Sequence, residues 1–258
     1  MRQRRVLLWI AVGIIGFLLI APTLIVIPMS LTSGDLLHFP PLGFSLRWYS
    51  NFFQTQEWTA GAMTSLKVGA ATAALSTVLG TLTALGLVRG RYPGRAFFTA
   101  LVLSPLIVPV VVIAIGMYFV YTSWHLAGTL LGLILAHSTL AIPFVVVNVS
   151  VSLRTFDRTL ELAAQNLGAG PIRTFFRVTL PIISPSIVAG ALFAFITSWD
   201  EVVTSIFLSS PIVRTLPVVM WGQVRGSIDP TIAAVATMLT GVTLAVLTVM
   251  LLVRRRAI

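Results

Sequence analysis

Seven carboxylates in 258 residues leave few places where this chain could do acid–base or ion chemistry, and two of them are adjacent. Asp200 and Glu201 follow Trp199 near the end of a long apolar run. A carboxylate pair beside an indole can neutralise an organic cation and give it a π face at the same time. The same pair can instead cap a helix end or bridge to an arginine of a neighbouring subunit, and both readings stand at this stage. His137 and Asn148 share another apolar run. No second His, Asp or Glu lies at metal-ligand spacing from His137, so it reads as a helix-to-helix hydrogen-bonding residue and no metal is expected. Lys67 sits in a third apolar run close enough to one end for its ammonium to reach the interface. Nucleophilic catalysis has no foothold: G-x-S-x-G is missing, and no two apolar runs each bring an acid. Nor does G-x-x-x-x-G-K-[ST] occur, so no ATP site is expected in this chain.

The elements that carry these residues are membrane helices. With 57% hydrophobic and 9% charged residues and a mean hydropathy of +0.99, the chain is too apolar for a water-soluble domain, where about 25% charged is usual. Six apolar segments reach the roughly 20 residues needed to cross a bilayer, near 6–31, 60–88, 96–122, 128–150, 182–208 and 231–253. They form one membrane domain over 1–258, without repeats or a second soluble domain. On helical rise Asp200 lies about 28 Å beyond Pro181, in the outer half of the fifth span or at its edge.

The formal charge of +10 does not point to nucleic acid, because sixteen of the seventeen basic residues are arginines placed beside apolar segments. Thirteen of them, from Arg2, Arg4 and Arg5 through Arg89, Arg91, Arg95, Arg154, Arg158, Arg173 and Arg177 to Arg254, Arg255 and Arg256, fall on one side of the six spans; Arg47, Arg214 and Arg225 fall on the other. The positive-inside rule then puts both termini and the 151–181 loop in the cytoplasm. The opening MRQRR followed by an apolar run is how a signal peptide begins, but the run is too long for one and no A-x-A-like site closes it. Trp48, Tyr49, Trp58, Trp124 and Trp221 read as an aromatic belt. There are no cysteines, hence no disulfide or thiolate chemistry.

The 151–181 loop is polar, basic and helix-forming between two membrane-grade segments. Its core, ELAAQNLGAGPIRTFFRVTLP from Glu161 to Pro181, holds Ala163 and Ala164, then Gly168, then Leu180-Pro181 thirteen residues beyond that glycine, with Val178 just before. The two alanines leave a helix face free of bulk, Gly168 ends the helix at low steric cost, and Pro181 is placed to start the next span. This pattern resembles the loop signature of ABC importer permease subunits. One residue departs from it, for the family's glutamate usually lies six before the glycine, where this chain has Leu162 and carries Glu161 one position earlier.

Phe39-Pro40-Pro41-Leu42-Gly43-Phe44-Ser45-Leu46-Arg47-Trp48-Tyr49, Ser198-Trp199-Asp200-Glu201 and Thr215-Leu216-Pro217-Val218 sharpen the likeness, which runs from about residue 20 to 250. They look like the second permease subunit of spermidine/putrescine importers. Relatives that handle aminoethylphosphonate, ferric iron or thiamine share parts of these runs, so another small solute, an amino-acid-like compound included, is the alternative. The resemblance implies an all-α integral membrane protein of the type I ABC importer permease kind, with six transmembrane helices and a coupling helix between the fourth and fifth. It implies a multi-pass subunit of the bacterial inner membrane that is not itself an enzyme. Its implied partners are a homologous second permease, two ABC ATPases that bind ATP and Mg, and an extracytoplasmic substrate-binding protein. Glu161, Ala163, Ala164, Gly168 and Pro181 would couple to the ATPases, and Trp199, Asp200 and Glu201 would line the pathway. A channel or secondary transporter also uses six spans, but has no need of a surface helix on which an ATPase docks.

Overall fold

The computed structural model describes residues 2–226 and 229–255, with side chains for 8–226 and 229–252. Those residues are helical, with one isolated β-bridge between Thr32 and Phe44. In chain order the helices are α1 (Arg2–Met29), α2 (Arg47–Gln54), α3 (Gln56–Arg89), α4 (Arg95–Leu103), α5 (Val110–Ser123), α6 (Leu130–Thr155), α7 (Thr159–Asn166), α8 (Pro171–Thr174), α9 (Leu180–Trp199), α10 (Val203–Leu208), α11 (Leu216–Arg225) and α12 (Thr231–Arg255). Five helical runs are long and apolar enough to span a bilayer, and a bent pair makes up to a sixth.

That bent pair corrects the expectation of one continuous span over 96–122. α4 passes into a single 3-10 turn at Ser104–Leu106, and α5 sets off at 102° to it. Two prolines cause the break. Pro109 has no N–H to continue the ladder and stands in an extended conformation, while Ile107 and Val108 both donate back to the Ser104 carbonyl. The expected span over 182–208 is also shorter, because its helix ends at Trp199 and α10 starts anew at Val203. Its beginning differs too. Pro181 lies inside a helical run from Pro171 to Trp199 rather than at its start, and a π turn at Phe175–Thr179 immediately precedes it. The Leu180 N–H reaches the Phe175 carbonyl there, so one extra residue is taken into the helix beside a proline that cannot donate.

The chain divides into two compact units, one taking in residues up to Thr59 with Val219–Val242, the other Ala60–Val218 with the residues from Thr243 on. In the first unit, α1 presents nearly all its apolar side chains outward, as a lipid-facing helix does. The stretch between the first two expected spans, residues 32–59, is tied down by polar bonds. Ser30 and Tyr49 share a 2.7 Å hydroxyl contact, the Trp48 indole donates to the Thr32 carbonyl, and Arg47 pairs with Asp35. α2 adds Asn51, whose amide donates to Thr231 at 2.8 Å. Trp58, read as a belt residue, is 3% exposed and belongs to the interior.

In the second unit, α3, α6 and α9 meet at Val145, which is fully buried. A Cβ placed on Gly80 of α3 would lie 2.6 Å from the Val145 Cβ, and one on Gly190 of α9 would lie 3.0 Å from its Cα. Small residues at such crossings let helix backbones approach where lipid offers no hydrophobic driving force between helices. Ala84, Ala141, Val149, Ile183 and Ala194 continue the same cluster. Gly80→Leu forces a branched side chain against the most tightly held point of α6, at a cost of about 1–3 kcal/mol. Its expected outcome is a lower Tm of the detergent-solubilised protein, read by loss of monodisperse protein on heating.

Candidate functional site

The first site is the 151–181 loop. Thr155 ends α6, the chain turns at Phe156, and α7 occupies Thr159–Asn166. Asp157 starts α7 by accepting the Thr159 N–H at 2.9 Å, and that bond holds its carboxyl below the usual range. The support is therefore present at neutral pH and lost as pH falls through the depressed value. Gly168 ends the helix. Its φ of +84° is left-handed, its N–H donates to the Gln165 carbonyl at 2.9 Å, and the next N–H, of Ala169, reaches back to Ala164 at 3.0 Å. That pair of bonds is a Schellman cap, which favours a residue without Cβ at this position.

Glu161 fastens α7 to the spans. Its Oε1 accepts from the Arg89 guanidinium at 2.7 Å and from the Thr179 hydroxyl. Arg89 closes α3 and Thr179 closes the π turn, so one carboxylate joins the loop to two membrane helices. The Arg89 guanidinium also lies 5.7 Å above the Phe156 ring. Both charged side chains of the pair are mostly buried, so it is not a screened surface contact. Neither Arg89 nor Thr179 stood out in the sequence, where Arg89 counted only as one of thirteen topological charges. The signal was there, since Glu161 is one of only two acids near that run of arginines.

The departure at Leu162 has a geometric consequence. One helical residue is about 100° of rotation, so Glu161 turns inward while Leu162 stands 58% exposed. Leu160, Ala163 and Leu167 are exposed as well, Leu167 at 89%. Beside them lies a cleft of about 260 Å³ lined by Ala164, Leu167, Ala169, Arg173, Arg177 and Val178. Ala164 lines that cleft and Gly168 lies exposed between two of its lining residues, whereas Pro181 lies further along the helix that follows.

The second site is the break after α9. His137, fully buried in α6, bonds Ser198 through Nδ1 at 2.7 Å and Ser205 through Nε2 at 2.9 Å, so it does tie helices together. Asn148 instead donates to Phe144 of its own helix. Glu201 accepts the backbone N–H groups of Thr204 and Ser205, each at 3.0 Å, and is 9% exposed. It caps the N-terminus of α10, where those donors have no partner inside the helix. Trp199 is 4% exposed and stacks on Phe195, with ring centroids 5.6 Å apart. Of the three residues read as a pathway, only Asp200 presents its carboxylate to the surface, with no hydrogen bond or ion pair among the described residues. Lys67 is exposed on α3, and no group of three or more metal-ligating side chains occurs among the described residues.

A short surface helix in the loop between the fourth and fifth expected spans is what the resemblance implies. The profile of the family described as "Binding-protein-dependent transport system inner membrane component" matches residues 76–258. The chain belongs to this family. As a permease of that family it is a non-catalytic membrane component of an ABC importer, and the permease is similar to two curated proteins of Escherichia coli K12. It is 35% identical to the putrescine transport system permease protein PotI over 90% of this chain and 85% of that one. To the spermidine/putrescine transport system permease protein PotC it is 32% identical, over 76% and 75%. Among solved structures, a bacterial ABC transporter involved in import of the acidic polysaccharide alginate has a TM-score of 0.71 at 14% identity, covering 98% of the permease and 96% of that chain. The methionine transporter MetNI, in inward-facing form, has a TM-score of 0.62 at 17% identity over 77% and 94%. At such identities the likeness establishes the fold, that of type I ABC importer permeases.

Glu161→Gln keeps the shape of the latch and removes its charge, which weakens a mostly buried pair by on the order of 1–3 kcal/mol. Membrane levels of the permease are expected to hold while trypsin cleaves faster at the neighbouring Arg158. Unchanged cleavage would show that the latch does not restrain the loop.

Proposed function

We propose that the permease imports polyamines, putrescine and spermidine in the first place. It pairs with a different, homologous permease, receives ligand from a substrate-binding protein, and is driven through alternating access by two ATPases. The observation that carries the coupling role is the Glu161 bond to both Arg89 and Thr179, because it gives a surface helix a rigid connection to the spans. The exposed Leu160, Leu162, Ala163 and Leu167 are the apolar face that an ATPase groove would cover, with the cleft at Ala164 beside it. ATP and Mg belong to those ATPases in this reading, and movement of α7 would swing the spans between inward- and outward-open states. The polyamine assignment is supported by the names of the curated relatives, by the three sequence runs quoted above, and by the exposed charge of Asp200.

Two carboxylates once read alike now separate. With the binding protein saturated, Asp200→Asn is expected to lower polyamine uptake roughly fivefold, the equivalent of about 1 kcal/mol for one solvent-facing charge. Glu201→Gln is expected instead to lower the amount of folded permease, since it weakens a cap. Uptake that stays normal in Asp200→Asn would remove that residue from the pathway. A cognate binding protein that retains a non-amine solute would overturn the polyamine assignment and leave the permease role intact.

The arginine distribution supports cytoplasmic termini and a cytoplasmic α7. In intact cells Ser33→Cys is expected to react with an impermeant thiol reagent, and Ile172→Cys, equally exposed on the protein, is not. Labelling of Ile172→Cys from outside would invert the topology.

A further inference from the structure

A second cleft, of about 180 Å³, lies where α3, α4 and α6 end near the latch. Leu87 and Val88 from the last turn of α3, with Val147 and Val151 of α6, form its apolar wall, and Arg95 and Arg154 line it too. Arg95 is the first residue of α4 and Arg154 lies in the last turn of α6, so both guanidinium groups come from helix ends. The cleft extends along α4 to Leu103 and along α6 to Val146, eight residues from each arginine, or about 12 Å of helix. It is therefore charged at one end and apolar for the rest of its length.

The arginines have no acid. Arg89, a short way along the chain, is satisfied by Glu161, whereas neither Arg95 nor Arg154 has an ion pair among the described residues, and both are exposed. Ser150 lines the cleft between them in sequence and makes no hydrogen bond among the described residues. Val147 is 42% and Val151 60% exposed, so the apolar wall opens outward on a helix long and apolar enough to cross a bilayer. We propose that this cleft binds an anionic phospholipid, with the phosphate between Arg95 and Arg154 and one acyl chain along Val147 and Val151. Two guanidinium groups match phosphate oxygens, and a lipid supplies in one molecule the charge and the hydrocarbon that the cleft asks for. A free phosphate would satisfy the arginines and leave the apolar length unused. Because α3 also ends in the Arg89 that Glu161 holds, an occupied cleft would brace one of the two helical segments joined by the latch.

The test uses the transporter purified with its partner subunits and exchanged into nanodiscs of phosphatidylcholine containing some phosphatidylglycerol, followed by native mass spectrometry of the lipid that remains bound. The unmodified permease and Arg91→Gln, whose arginine does not line the cleft, are expected to retain phosphatidylglycerol. Arg95→Gln combined with Arg154→Gln is expected to retain on the order of tenfold less. Val147→Phe, which fills the slot and keeps both charges, is expected to lose it as well. Retention equal to Arg91→Gln in either variant overturns the proposal. So does displacement of the lipid by inorganic phosphate, or a photoreactive group at position 147 that joins to the partner permease rather than to phosphatidylglycerol.

Discussion

The constraint from which the rest follows is that a bilayer core offers no water to a broken helix. Every interruption has to be repaired by the chain itself, and each repair has left a recognisable device. The 3-10 turn at Ser104–Leu106 recovers hydrogen bonds lost around Pro109. The π turn at Phe175–Thr179 sits just ahead of Pro181. The break after Trp199 is repaired by Glu201, whose carboxylate takes two N–H groups at the start of α10, while His137 holds Ser198 on one side of the break and Ser205 on the other. These repairs cost buried polarity, and they cluster where a transport protein needs helices that are not straight rods.

Seen this way, the buried polar residues of the spans are chiefly structural. Glu201 and Asp200 are neighbours in sequence and opposites in placement, because the break between Trp199 and Val203 turns one side chain into the protein and leaves the other outside. The same division holds at the loop, where Glu161 turns inward to hold α7 in place and Leu162 and Leu167 stay exposed.

Fold class was legible from hydropathy and the arginine pattern, since both follow from the solvent a membrane provides. The ending of α7 was legible as well, because Gly168 meets a stereochemical requirement that few residues can. What hydropathy does not report is direction, so the run over 96–122 looked like one span although Pro105 and Pro109 bend it, and Pro181 looked like a helix start although a π turn carries the helix past it. The latch escaped notice for a different reason. Arg89 and Glu161 are 72 residues apart, and only the folding of α3 against the loop brings them to 2.7 Å.

That latch has a mechanical consequence. Because a single carboxylate grips the end of α3 and the π turn that leads into α9, a displacement of α7 is delivered to two helices together, and Val145 pins both of them against α6 through Gly80 and Gly190. Such a linkage would act as a crank whose bearing is the contact at Val145. Were α7 drawn aside, the far ends of α3 and α9 would lean the other way together.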